Sequence, residues 1–241
     1  VKLKHVLFTV LVVLLLDQVL KVYIKTNFAY GQEVNVLGDW FKLNFIENEG
    51  MAFGMSFGGE YGKLFLTLFR LIACVLGVFF IQKYVIQAGY KNGLIFCSAL
   101  ILAGALGNCV DSVFYGKIFT ANSFHGVKPA QLVPWGQGYG DLFHGKVVDM
   151  LYFPILRGTY PSWVPGLGGN SFIFFRPVFN IADAAISTGV IAIFVFQNSL
   201  LKKKNGYNSD TPSNIDNHSF EPHANAPVSD SHPTETDSIV A

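Results

Sequence analysis

Four runs of mostly apolar residues, at about 5–24, 63–86, 94–114 and 177–201, constrain this chain more than any other feature. Each is close to the length of about 20 residues at which an α-helix crosses a hydrocarbon core. Within a bilayer every backbone polar group must be satisfied internally, which favours helices over isolated strands. Composition agrees: 51% of residues are hydrophobic and only 14% charged, too apolar for an ordinary soluble domain. The first run lies where a secretory signal would, but it contains Asp17, Gln18 and Lys21, and no small-x-small cleavage site follows it. It is therefore read as a permanent span. The expectation is an all-α membrane protein with four transmembrane helices, long outer loops at about 25–62 and 115–176, and one domain over residues 1–204.

Basic residues orient such a bundle. The short segments on the side of the termini carry Lys2, Lys4, Lys83, Lys91 and the run 202–204, whereas the opposite loops are several times longer. Density near span ends sets orientation, so both termini are expected in the cytoplasm. In the first outer loop, Asp39–Phe45 alternates like a half-exposed strand, and Glu33–Val36 is a partner for it. That pair is the expected small extracytoplasmic antiparallel β element. Residues 205–241 contain no Lys or Arg and few apolar residues, the composition of a disordered, polar cytoplasmic tail.

Acids gather towards the outer face in this orientation. Asp17 falls in the outer half of the first span, Asp111 near the outer end of the third, and Asp183 near the start of the fourth, with Asp149 just upstream. The last apolar run reads as a helix that enters the membrane with Pro177 in its first turn. Asn180 and Asp183 then share one face of it. An acid inside a span costs a few kcal/mol unless paired or wetted. One reading is a protonated acid joining two helices; the other is that Asp149 and Asp183 form the two-carboxyl minimum for aspartic hydrolysis.

The neighbouring polar residues have structural and functional readings of their own. Asp17 and Lys21 have the i, i+4 spacing of an ion pair, and Lys21 and Lys25 are also placed to snorkel towards outer phosphates. Gly104, Gly107, Asn108 and Asp111 form one stripe, small residues for close helix packing followed by an amide and an acid. Asn48, with Gly50 and Ala52, is a polar turn that either caps itself or binds an extended substrate. Arg70, inside the second span, either snorkels outward or neutralises an acid.

Other classes lack support. The net charge of +1 and the absence of a basic, aromatic-interleaved patch leave no nucleic-acid surface. Cys74, Cys97 and Cys109 lie within spans without ligand spacing, and His125 and His144 have no metal-binding partners, so neither metal nor cofactor is expected. The GYGD at 138–141 lacks the flanking residues of a potassium filter. A proton-coupled carrier would spread its acids through to the inner side.

Taken in order, DQVLK (17–21), NEGMAFG (48–54), GALGNCVDS (104–112), GKVVDM (145–150) and FNIADAAIS (179–187) resemble the motifs of lipoprotein signal peptidase, or signal peptidase II. The resemblance implies a four-span aspartic endopeptidase of the bacterial inner membrane, working at the outer leaflet. Its implied substrates are prolipoproteins carrying a diacylglyceryl-cysteine, cut just before that residue, with membrane lipids as neighbours. It implies Asp149 and Asp183 as catalytic residues, and Asn48, Asn108, Asp111, Asn180, Asp17 and Lys21 as substrate-binding or supporting residues.

Two departures from the family pattern stand out. Ser112 occupies a position where the family usually has Arg, and about thirty residues are inserted between Gly116 and Gly145, a candidate lid or partner surface. If that charge is supplied from elsewhere, Lys146, so close to Asp149, is the first candidate among Lys117, Lys146, Arg157 and Arg176; the other reading of Lys146 is an ordinary solvated loop lysine.

Overall fold

The computed structural model describes residues 2–49, 59–122, 128–174 and 176–202. The expected tail and the Gly50–Ala52 part of the polar turn lie outside them.

The described chain is mostly helical, with a small antiparallel sheet. Helix α1 (Lys2–Asn27) leads to strands β1 (Glu33–Leu37) and β2 (Phe41–Asn48). Helix α2 (Gly59–Phe80) ends in a wider π-type turn at Ile81–Ile86, and α3 (Asn92–Ile118) follows. Three segments, Leu3–Asn27, Tyr61–Ile86 and Asn92–Ile118, are long and apolar enough to cross a membrane. They correspond to the first three sequence runs within a few residues. Their outward faces carry exposed Leu7, Phe8, Phe65, Phe69, Ile72 and Leu76, as suits helices solvated by lipid.

Helix α3 is the axis of the bundle and packs against α1, α2 and α4 (Ile181–Val195). Its small residues allow this. A Cβ at Gly104 would sit 2.2 Å from Ala182 O, and one at Gly107 would sit 2.7 Å from Asp17 Oδ2. The stripe thus packs α3 against α4 and against the polar face of α1 at once.

Strands β3 (Val147–Tyr152) and β6 (Val178–Phe179) complete a sheet in the order β1-β2-β3-β6, all antiparallel. The expected pairing of Glu33–Val36 with the following strand is present. Strands β4 (Leu156–Thr159) and β5 (Ser171–Phe174) form a separate hairpin that the sequence reading did not anticipate. Ile24, Phe28, Tyr115 and Phe119 from the ends of α1 and α3 bury Phe45, Val148 and Met150, fastening the sheet to the bundle.

Two expectations need correction. The fourth apolar run is not one helix beginning near Pro177. Residues 178–179 are strand β6, Asn180 is extended at the N-cap, α4 starts at Ile181, and the helix breaks at Phe196 before the short α5 (Gln197–Leu200). Asn180 is therefore a cap, not a helical neighbour of Asp183, because its side chain can accept the Asp183 N–H only from an extended backbone. Lys21 and Lys25 do not snorkel: both are fully buried and ion-paired.

The described part of the insertion folds back on the end of α3. Phe119 bridges Leu132, and Val133, Gly136, Tyr139 and Gly140 donate backbone hydrogen bonds to carbonyls of residues 116–119. Lys117 pairs with Asp141 at 2.7 Å, and Thr67 of α2 donates to Phe143 O at 2.9 Å. These contacts make the described insertion a buttress joining α2 and α3.

Candidate active site

The site begins with a buried lysine. Lys21 Nζ lies 2.8 Å from Asp17 Oδ2, 2.8 Å from Asp111 Oδ2 and 3.0 Å from Asn108 Oδ1. Those three acceptors use the three donors of an ammonium group. Burial of these charges is tolerable only because each remaining oxygen is also engaged. Asp17 Oδ1 accepts from Ala182 N at 2.9 Å, which ties α1 to the start of α4. Asp111 accepts from Gln18 Nε2 at 2.8 Å and from Val148 N at 3.2 Å, which ties α3 to β3. Gln18 in turn accepts from the Tyr115 hydroxyl at 3.1 Å.

Two asparagines carry this order outward. The side-chain oxygen of Asn108 is taken by Lys21 and by Asn180 Nδ2 at 3.2 Å, so its amide NH2 faces Asp183 Oδ1 at 2.8 Å. The side-chain oxygen of Asn180 accepts from Asp183 N at 2.9 Å, and its NH2 reaches Asp149 Oδ1 at 2.7 Å. Asp183 closes the capping box by accepting from Asn180 N at 3.4 Å. Each acid therefore receives an amide donor whose orientation is dictated by its own oxygen's partners.

Strand register brings in the eighth residue. Asn48 pairs with Val147 and Ile46 with Asp149, so Asn48 and Asp149 are diagonal neighbours on one face. Asn48 Nδ2 donates to Asp149 Oδ2 at 3.4 Å. All eight residues expected at the site thus belong to one connected network, although they come from α1, β2, α3, β3 and the start of α4.

The two acids differ in setting. Asp149 is 3% exposed, and burial, followed by the charge of the Asp183 carboxylate, pushes its carboxyl up to about 7. Hydrogen bonds from Asn48 and Asn180 and the charge of Lys21 pull the other way and are outweighed. Asp183 is half-buried in the first turn of α4. Two carboxyls in one network, one of them raised in this way, can share a single proton and so offer an acid and a base in one site.

Sequence reasoning missed three further contacts. Gln18 joins Asp111 to Tyr115; it lay inside DQVLK, but its partners are remote in sequence. Lys25 pairs with Glu47 beneath the rings of Phe119 and Tyr139, each 5.2 Å from Nζ. Arg70 Nη1 donates to Ser112 Oγ at 3.2 Å, while Lys146 turns to Glu49 at 3.9 Å. The guanidinium of α2, not Lys146, is the charge that meets Ser112. Among the described residues no group of His, Cys, Asp and Glu could hold a metal ion.

Helices long and apolar enough to cross a membrane, capped by a small sheet, hold two aspartates in one hydrogen-bonded network where a strand meets a helix start. The family model described as signal peptidase (SPase) II matches residues 9–198, and the chain belongs to that family of peptidases. A lipoprotein signal peptidase of Porphyromonas gingivalis is 45% identical over 192 residues, 80% of this chain and 82% of that protein. One from Amoebophilus asiaticus is 38% identical over 185 residues, 76% and 73% of the two chains. A bacterial membrane enzyme solved by the in meso method at 1.9 Å shares the fold, with a TM-score of 0.53 at 23% identity over 81% of this chain and 94% of that one.

Proposed function

We propose that this peptidase removes signal peptides from diacylglyceryl-modified bacterial prolipoproteins by cutting just before the lipidated cysteine, with Asp149 and Asp183 as its catalytic pair. Membership of the signal peptidase II family supports the substrate class. The observation that carries the catalytic assignment is the Asn108–Asn180 frame, which presents one amide donor to each acid.

Asp183, as the base, takes a proton from water while the water oxygen attacks the scissile carbonyl carbon. Asp149, as the acid, gives its proton to the developing oxyanion, so a neutral gem-diol forms. Collapse returns a diol proton to Asp149 as the C–N bond breaks, and Asp183 passes its proton to the leaving nitrogen. The pair ends in its starting protonation state. The proton belongs to the pair as a unit, with burial biasing it towards Asp149.

In this proposal the chain crosses the membrane four times. α4 with α5 covers residues 181–200, about 30 Å at 1.5 Å per residue, and serves as the fourth despite its break. Both termini then face the cytoplasm, the sheet and the acids lie at the outer leaflet of the inner membrane, and residues 205–241 form a polar cytoplasmic extension to the 1–204 protease domain. Asn48, Asn108, Asp111, Asn180, Asp17 and Lys21 support the pair or bind substrate.

Purified protein in lipid bilayers, supplied with one prolipoprotein in lipidated and unlipidated forms, tests the substrate assignment. Mass spectrometry should find a new amino-terminal diacylglyceryl-cysteine from the first form and no product from the second. Equal cleavage of both forms would overturn it.

A further inference from the structure

The hairpin of β4 and β5 stands between the two acids in sequence, yet it packs chiefly on itself. Its register places Leu156 opposite Phe174 and Gly158 opposite Phe172. Strand alternation puts these pairs on one face, and the Phe172 ring lies over Gly158, where a Cβ would meet it at 2.6 Å. Leu156 and Phe174 are exposed, at 60% and 59%. The connecting loop is internally ordered, with Tyr160 and Asn170 closing it and Gly168 N bonded to Val164 O at 2.9 Å. That loop holds Trp163 out, 79% exposed.

A two-stranded hairpin of this size is marginal in water without a third surface against its apolar face. Charge indicates which surface. Between Asp149 and Asp183 the chain has no acid at all, and its ionisable side chains there include Arg157 and Arg176. An apolar and aromatic face on an acid-free segment that also contains Arg157 and Arg176 suits an anionic phospholipid surface, where Trp and Tyr concentrate at headgroup level. Continuity supplies the reach: the hairpin is followed within a few residues by β6 and α4, the segment read as entering the membrane.

We propose that this hairpin is a lipid-docking element, which lays Leu156, Phe174 and Trp163 into the headgroup region of the outer leaflet. Resting on the proposed orientation of the spans, it tethers both the strand that carries Asp149 and the helix start that carries Asp183 to the leaflet that delivers the lipidated substrate. The anchor fixes the height of the acids relative to the membrane surface.

The test uses the full chain with Trp40→Phe and Trp135→Phe, which leaves Trp163 as the sole tryptophan; both replaced residues are exposed, and retained cleavage activity verifies the fold. It is reconstituted in vesicles of phosphatidylglycerol with phosphatidylcholine brominated near the headgroup. Docking predicts that Trp163 loses roughly half its emission to the bromolipid and resists aqueous iodide, as an interfacial tryptophan does. Free access of iodide with no bromolipid quenching would overturn the proposal. So would protection that appears only when prolipoprotein is added, since the hairpin would then be a protein-binding surface. Because quenching needs no turnover, the same measurement in an Asp149→Asn background separates this proposal from the catalytic one.

Discussion

Arg70 Nη1 lies 3.2 Å from Ser112 Oγ, and that hydroxyl in turn donates to Asn108 O at 2.9 Å. A guanidinium from α2 is thereby linked to the turn of α3 whose side chain holds Asp183. Arg70 and Ser112 are 42 positions apart in sequence.

This relationship predicts an order of sensitivity. A hydrogen bond involving a charged group contributes about 1.5–3 kcal/mol, so Arg70→Ala should lower kcat/KM by roughly tenfold or more, with partial recovery in Arg70→Lys. Lys146→Ala should change it by less than about twofold, because a half-exposed pair of this kind contributes roughly 0–1 kcal/mol. Cleavage rates of the three variants on one lipidated substrate decide the matter. A larger loss for Lys146→Ala would favour that lysine, and not Arg70, as the compensating charge.

The elevated carboxyl of Asp149 sets a pH dependence. An acid whose folded value rises from 3.8 to about 7 keeps its proton below that pH and loses it as pH rises through it. If the protonated form is required, kcat/KM should fall on the alkaline side with a midpoint near 7. The Asn48 hydrogen bond favours the ionised form, so Asn48→Ala should move that limb to higher pH. A pH–rate profile on both proteins measures the shift. Movement to lower pH would contradict the electrostatic account of this pair.

Close packing of α3 predicts a contrast between two glycines. A Cβ at Gly104 would meet Ala182 O at 2.2 Å, whereas at Gly77 it would meet only Leu102 Cδ1 at an ordinary 3.6 Å. Gly104→Ala must push α4 away and should cost about 1–3 kcal/mol of stability, together with most of the activity, since Ala182 N and Asp183 move with that helix. Gly77→Ala should be close to neutral. Unfolding in detergent and cleavage assays on the two variants compare them directly.

What the sequence made legible follows the range of the interactions. The first three spans, the Asp17–Lys21 pair and the small-residue stripe on α3 are local patterns, readable from hydropathy and helical spacing. Pairing of β1 with β2 was readable too, because the strands adjoin. The start of α4 was not: an apolar run from Pro177 has the hydropathy of a helix throughout, and only the sheet edge at β3 draws residues 178–179 into a strand. Burial of Lys25 was equally invisible, as its partner Glu47 and its covering rings come from other elements. For the acids themselves, motif resemblance named the residues, while the asparagine frame that orders them exists only in three dimensions.

In the proposed mechanism Asp149 and Asp183 act as one unit. Cleavage of a lipidated prolipoprotein should be measured for the wild type, Asp149→Asn, Asp183→Asn and the double variant, with each confirmed folded in the membrane. Each single change should remove nearly all turnover, and the double should be scarcely worse than either, because both break the same proton relay. Near-normal cleavage by either single variant, or losses that multiply in the double, would contradict the assignment.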